Sequence, residues 1–210
     1  MKHPPPDRLR SYTRGTADIT TRVLVEAHLF LCRNCSTAVA EARHRSEHLP
    51  PATLHDELDL PPFSCVWNAV EQAVADQRCP KAAVLAPPLL GAIPHPAAWR
   101  WIVVARPRQV RVALLIRDMD TGSELYLCHL TPESTFPHHR HVGLEENVIL
   151  AGRYQNGDVR AAAGDWVIGA PGTEERSKAL NDGCWCLSRI EPPGVRFNGW
   201  RRWAAAFFSR

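Results

Sequence analysis

His28-Leu29-Phe30-Leu31-Cys32-Arg33-Asn34-Cys35 sets an imidazole and two thiols at positions i, i+4 and i+7. At about 100° per residue these fall at roughly 0°, 40° and −20° around a helix axis, so all three point the same way. Zinc favours such an N/S donor set, and a closed structural site needs one more ligand. The plain alternative makes Cys32 and Cys35 small buried groups and His28 a surface residue. Around the cluster, Ile19, Val23, Leu24, Ala27, Phe30, Leu31, Ala38 and Val39 recur at helical spacing up to about Ala42. This predicts one long amphipathic helix carrying the cluster, capped at its start by Thr16 or Asp18, with its apolar stripe in a bundle core.

Working outward, Pro4–Pro6 followed by Asp7 opens a short helix, with Leu9 and Tyr12 on one face and Gly15-Thr16 as its stop. His44 and His48 read as exposed polar residues near a helix end. Leu49-Pro50-Pro51 and Leu60-Pro61-Pro62 bracket an acidic loop, and Val66, Trp67, Val70 and Val74 predict a third helix over Phe63–Val74. The proline-rich stretch Gln77–Ala98 marks the junction between two domains. Cys79 within it has no ligand partners nearby.

Size and charge exclude several classes. The chain has 210 residues, 45% hydrophobic and 22% charged, which suits one large or two small globular domains. No apolar run reaches the length of a membrane span, and the N-terminus lacks the apolar core of a secretory signal. Seven irregularly spaced cysteines do not make a disulfide framework, so the expected location is the cytoplasm. A formal charge of +3 without a lysine/arginine block gives no case for direct nucleic-acid binding.

After Trp99 and Trp101 the pattern changes to short β-prone runs: Ile102–Val104, Val110–Ile116, Leu125–Leu130, Asn147–Leu150, Asp158–Ala161, Trp166–Ile168 and Trp185–Ile190. Gly/Asp turns between them predict an antiparallel sandwich or barrel. Within it, Pro137-His138-His139-Arg140-His141-Val142-Gly143-Leu144-Glu145 puts His139 and His141 on one side of a strand, and Glu145 shares their parity if the strand continues. Two histidines and a carboxylate suit zinc, iron, manganese or nickel; the alternative is an exposed polyhistidine turn. Cys184 and Cys186 share one strand face and read as a buried strand. Trp200, Trp203, Phe207 and Phe208 give the tail Val195–Arg210 helical spacing.

The pattern His-x-His-x3-Glu, with Val148–Gly152 and Gly164-Asp165 beyond it, resembles the first cupin motif over roughly Ala113 to Ile190. Together with His-x3-Cys-x2-Cys it is similar to the ChrR-like group of zinc-binding anti-sigma factors. The resemblance implies an α+β chain: an N-terminal all-α zinc-binding bundle (residues 1–92), a linker (93–98) and an antiparallel cupin barrel of jelly-roll type (99–210). It implies His3 as fourth zinc ligand with His28, Cys32 and Cys35. Where the second cupin motif normally supplies a histidine, this chain has Gly172-Thr173-Glu174-Glu175-Arg176-Ser177. Glu174 or Glu175 is then the candidate ligand for zinc or another divalent transition metal, beside His139, His141 and Glu145. The implied function is a cytoplasmic, non-enzymatic regulator. It would hold a group IV, extracytoplasmic-function sigma factor and sense oxidative stress, of the singlet-oxygen type for example, through its cupin. The competing readings are a cupin metalloenzyme, such as a dioxygenase or isomerase, and a DNA-binding regulator, which lacks a helix–turn–helix.

Overall fold

The computed structural model describes residues 1–46, 98–105 and 110–197. Three helices come first among them: α1 (Pro6–Thr13), α2 (Ile19–Leu31) and α3 (Arg33–Ser46). A proline at the first helical position, with φ already fixed near the helical value, starts α1. Asp18 caps α2, its carboxylate accepting the Thr21 N–H at 3.0 Å. The single long helix expected from the sequence is two. Cys32 sits extended (φ −121°, ψ 98°), its N–H still bonded to the His28 carbonyl and its own carbonyl to the Ser36 N–H. It therefore closes α2 and opens α3, and the chain bends between the two thiols. The expected helix over Phe63–Val74, Cys65, Cys79, His48, the junction before Ala98 and the tail beyond Phe197 lie outside the described residues. Val195–Phe197, expected to begin a helix, is a strand.

Ten strands follow among the described residues: β1 (Trp101–Ala105), β2 (Val110–Arg117), β3 (Glu124–Leu130), β4 (His139–His141), β5 (Glu145–Asn156), β6 (Val159–Ala162), β7 (Trp166–Gly169), β8 (Glu174–Glu175), β9 (Lys178–Ile190) and β10 (Val195–Phe197). They form a seven-stranded sheet, β1-β2-β3-β9-β5-β6 with β7 also on β5, and a three-stranded sheet, β10-β4-β8. The described strand pairs are antiparallel. This is a cupin-like pair of sheets rather than a closed hydrogen-bonded barrel.

The central strands of the large sheet, β3, β5 and β9, are largely buried on both faces, and their two-residue period sorts the side chains. Leu125, Leu127, Val148, Trp166, Trp185 and Leu187 face the helices, where Val23, Leu24, Val25 and Ala27 of α2 complete one core. Tyr126, Cys128, Leu130, Cys184, Cys186 and Ile190 face the second core with Val110, Val112 and Ile149. A polar clamp crosses the helix–sheet interface. Arg189, 2% exposed, donates to Thr20 Oγ1 at 3.0 Å, Glu146 Oε2 at 3.1 Å, Glu191 Oε1 at 2.8 Å and Asp18 Oδ2 at 3.1 Å. Arg8 of α1 meets Glu146 and Glu191 from the other side. A buried guanidinium needs such partners, and here they fasten the helices to β5 and β9.

Candidate metal centres

The bend at Cys32 builds the first centre. His3, His28, Cys32 and Cys35 each bring a ligand atom to within 4.8 Å of the others. His3 Nδ1 lies 3.3 Å from Cys35 Sγ and 3.6 Å from Cys32 Sγ. His3 is placed by the sheet: the Lys2 N–H donates to Asp165 Oδ1 at 2.6 Å and the Lys2 carbonyl accepts from Trp166 N–H at 3.0 Å. His28 Nδ1 lies 2.9 Å from the Gly164 carbonyl, which only accepts, so Nδ1 carries the proton and Nε2 is left with its lone pair. That Nε2 is buried and has no hydrogen-bond partner among the described residues. This is the arrangement of a metal-ligating histidine, held in tautomer by an outer carbonyl. Burial lowers the His28 pKa and keeps the ring neutral, as a ligand must be. Burial and the adjacent Cys32 thiol push Cys35 up to about 11; a bound cation favours the thiolate instead.

The second centre lies between the two sheets. β4 turns His139 and His141 inward and Arg140 outward. Glu145 does not continue that strand, as parity would have it; the chain bends around Gly143, and Glu145 enters as the first residue of β5. Its Oε2 lies 3.6 Å from His139 Nε2 and 3.3 Å from His141 Nε2. Asn147 and the Ser188 hydroxyl both donate to its Oε1 at 3.0 Å, which fixes the carboxylate. β8 pairs with β4 so that Glu175 stands opposite His139, and Glu174 opposite Arg140. Glu175 joins His139 and His141 within 4.8 Å. Glu174 points to solvent and pairs with His138 at 3.2 Å. Of the two glutamates weighed from the sequence, the structure brings only Glu175 to the cluster.

Both imidazoles turn Nε2 toward Glu145, and that of His141 is buried without a hydrogen-bond partner among the described residues. His139 Nδ1–H donates to the Pro137 carbonyl at 2.9 Å. His141 Nδ1–H donates to Thr173 Oγ1 at 2.9 Å, because that hydroxyl spends its own proton on the Ala170 carbonyl. Burial alone would raise the Glu145 carboxyl, but the two imidazoles hold it well below the usual carboxylate range. Glu175 goes the other way: burial and the Glu145 charge raise it.

The cavity holding this cluster has a volume of about 40 Å³. Phe136, Phe197, Tyr126 and Tyr154 help to wall it, together with Cys128, Cys184 and Cys186. The last two are buried as the sequence suggested; Cys128, their cross-strand neighbour on β3, was not singled out, although its alternation with Leu127 marks the inner face. Hydrogen bonds from Cys128 and Cys184 pull the Cys186 thiol below the ordinary thiol value, whereas the bond to Cys186 and burial hold Cys128 well above it. Thr173, Asn147 and Ser188 were also missed, since orienting residues carry no spacing signal.

The two centres are bridged by the five-residue step from Gly164 to Gly169, which contains β7. Gly164 accepts from His28, and Gly169 lies against His141 so closely that a Cβ there would sit 2.5 Å from the ring. Gly164 itself has φ +88°, a backbone conformation that favours glycine, and a Cβ there would meet the end of the Met1 side chain at 2.6 Å.

Among known proteins, the family described as "ChrR Cupin-like domain" matches residues 91–192. The crystal structure of Rhodobacter sphaeroides SigE in complex with the anti-sigma ChrR matches with a TM-score of 0.65 at 23% identity, over 91% of this chain and 99% of that one. An RmlC-like cupin from Ralstonia eutropha (TM-score 0.43, 14% identity, 61% and 85% coverage) and an acetylacetone dioxygenase from Acinetobacter johnsonii (0.44, 14%, 62% and 96%) are more distant. No curated protein matches. No helix among the described residues is long and apolar enough to cross a membrane. Over residues 91–192 the chain matches the ChrR cupin-like family, and together with its N-terminal helices it has the fold of ChrR.

Proposed function

We propose that the protein is an anti-sigma factor whose helical part, residues 1–92, binds zinc through His3, His28, Cys32 and Cys35 and holds a group IV, extracytoplasmic-function sigma factor in the cytoplasm. The observation that carries this reading is the convergence of those four ligand atoms, one imidazole orphaned in the interior, on helices fastened to a ChrR cupin-like domain. A small helical unit closed by two imidazoles and two thiols depends on its ion for folding. The same thiolates are what an oxidant attacks.

The cupin, residues 99–210 beyond a linker at 93–98, acts in this reading as the sensor of oxidative stress. It holds a divalent ion on His139, His141, Glu145 and Glu175. Release of the sigma factor is a population shift, so a change at the cupin must favour the free state over the bound one. The short run of chain through β7, from the glycine against His141 to the carbonyl that orients His28, supports such a link.

Affinity capture of the tagged, zinc-loaded chain from its host under reducing conditions, followed by mass spectrometry, tests the proposal. A stoichiometric sigma factor with the wild type, absent from Cys32→Ser/Cys35→Ser, supports it. Well-folded, zinc-loaded protein that captures no sigma factor overturns it.

A further inference from the structure

We infer that Glu175 makes the cupin centre a two-imidazole, two-carboxylate site biased toward harder divalent ions, manganese(II) or iron(II), and away from zinc. The inference rests on reading this cavity as a metal site and not on the capture of a sigma factor.

Three observations carry it. The first is charge. Glu145 and Glu175 both face the cavity, and no lysine or arginine lines it among the described residues. Once an ion takes their Nε2 lone pairs, His139 and His141 are neutral and bring no compensating charge. A divalent cation neutralises two carboxylates in full, and buried like charges need such a partner. An imidazole in place of Glu175 would leave the ion with a net positive charge in the interior.

The second is donor type. Carboxylate and water oxygens suit manganese and the harder first-row ions, while thiolates draw zinc. Cys128, Cys184 and Cys186 wall the same cavity, yet none belongs to the cluster of ligand atoms. The sulfurs that would favour zinc as ligands are thus confined to the helical centre, and the chain carries two sites of different softness.

The third is space. The Tyr154 hydroxyl is buried against this cavity without a hydrogen-bond partner among the described residues. A buried hydroxyl seeks a partner, and a cavity of about 40 Å³ admits water beside the cluster. Room for water ligands favours ions that take six oxygen and nitrogen donors over a closed tetrahedral zinc site.

The test uses the full chain with its helical centre loaded with one zinc. Manganese(II) binding is then followed by the loss of the free-ion electron paramagnetic resonance signal, and zinc binding by competition with a chromophoric chelator. Glu175→His should raise the ratio of zinc to manganese affinity by about tenfold or more. Glu174→Gln, at the exposed neighbour, should leave that ratio within about twofold, and retention of the helical zinc reports folding in both variants. An unchanged ratio in folded Glu175→His overturns the selectivity. No second metal in the wild type, with the helical zinc in place, overturns the cavity as a metal site.

Discussion

His129 lies on the helix-facing side of β3, stacked on Trp185 at 4.1 Å between ring centroids, with Arg111 Nε donating to its Nδ1 at 3.1 Å. Burial, then the Arg111 charge, lower its pKa to about 4. The folded chain therefore keeps it neutral where an unfolded chain takes up a proton. As pH falls from about 6.5 toward 4, the unfolded state binds the extra proton and stability drops; above that window the residue contributes no pH dependence. His129→Gln should flatten this part of the profile, seen as a smaller difference between denaturant midpoints at pH 7 and pH 5 than in the wild type. An undiminished difference would show that another group governs it. The same scale separates Glu174 from Glu175: one register position of β8 decides which carboxylate meets the imidazoles.

At the scale of elements, β7 is short but links both centres. Gly169→Ala should push the His141 ring aside and weaken metal binding in the cupin by about tenfold while the helical zinc stays bound, as metal titration of the two sites would report. Equal affinity would mean that the ring or the strand gives way without cost. The strands themselves were largely legible. Val110–Ile116, Leu125–Leu130 and Trp185–Ile190 are β-prone runs bounded by turn residues. The first two are strands at nearly those limits, and the third is the C-terminal half of the longer β9. His139 and His141 were legible as neighbours on one strand face, although β4 stops at His141 instead of running on to Glu145; β8 was not read, because two residues carry no period and only their register gives them meaning. The bend at Cys32 was hidden for another reason. The apolar period runs through it unbroken, and the break comes from the extended backbone of one residue that still keeps both flanking helical hydrogen bonds. His28, Cys32 and Cys35 were visible as a spacing, whereas His3 came from the family resemblance. Its placement depends on the pairing of Lys2 with Asp165 and Trp166, far along the chain.

For the whole molecule, the helices and the cupin share a core and a buried ionic clamp. Arg189 and Ser188 are neighbours on β9, as Glu145 and Glu146 are on β5. One member of each pair faces the cavity and the other the helices. In the proposed reading, a change in the ion or its ligands in the cavity reaches the helices through these two strands and through β7. In the proposed anti-sigma reading, that link is what would turn a change in the cupin into release of the sigma factor. The most direct test is transcription by purified RNA polymerase and the captured sigma factor on a promoter of that factor, with the full chain added in increasing amounts. Zinc-dependent sigma binding predicts that the zinc-loaded chain abolishes transcription near one equivalent per sigma factor and that His28→Ala, which loses the helical zinc, does not. Full inhibition by a zinc-free His28→Ala chain, or none by the zinc-loaded wild type, would contradict it.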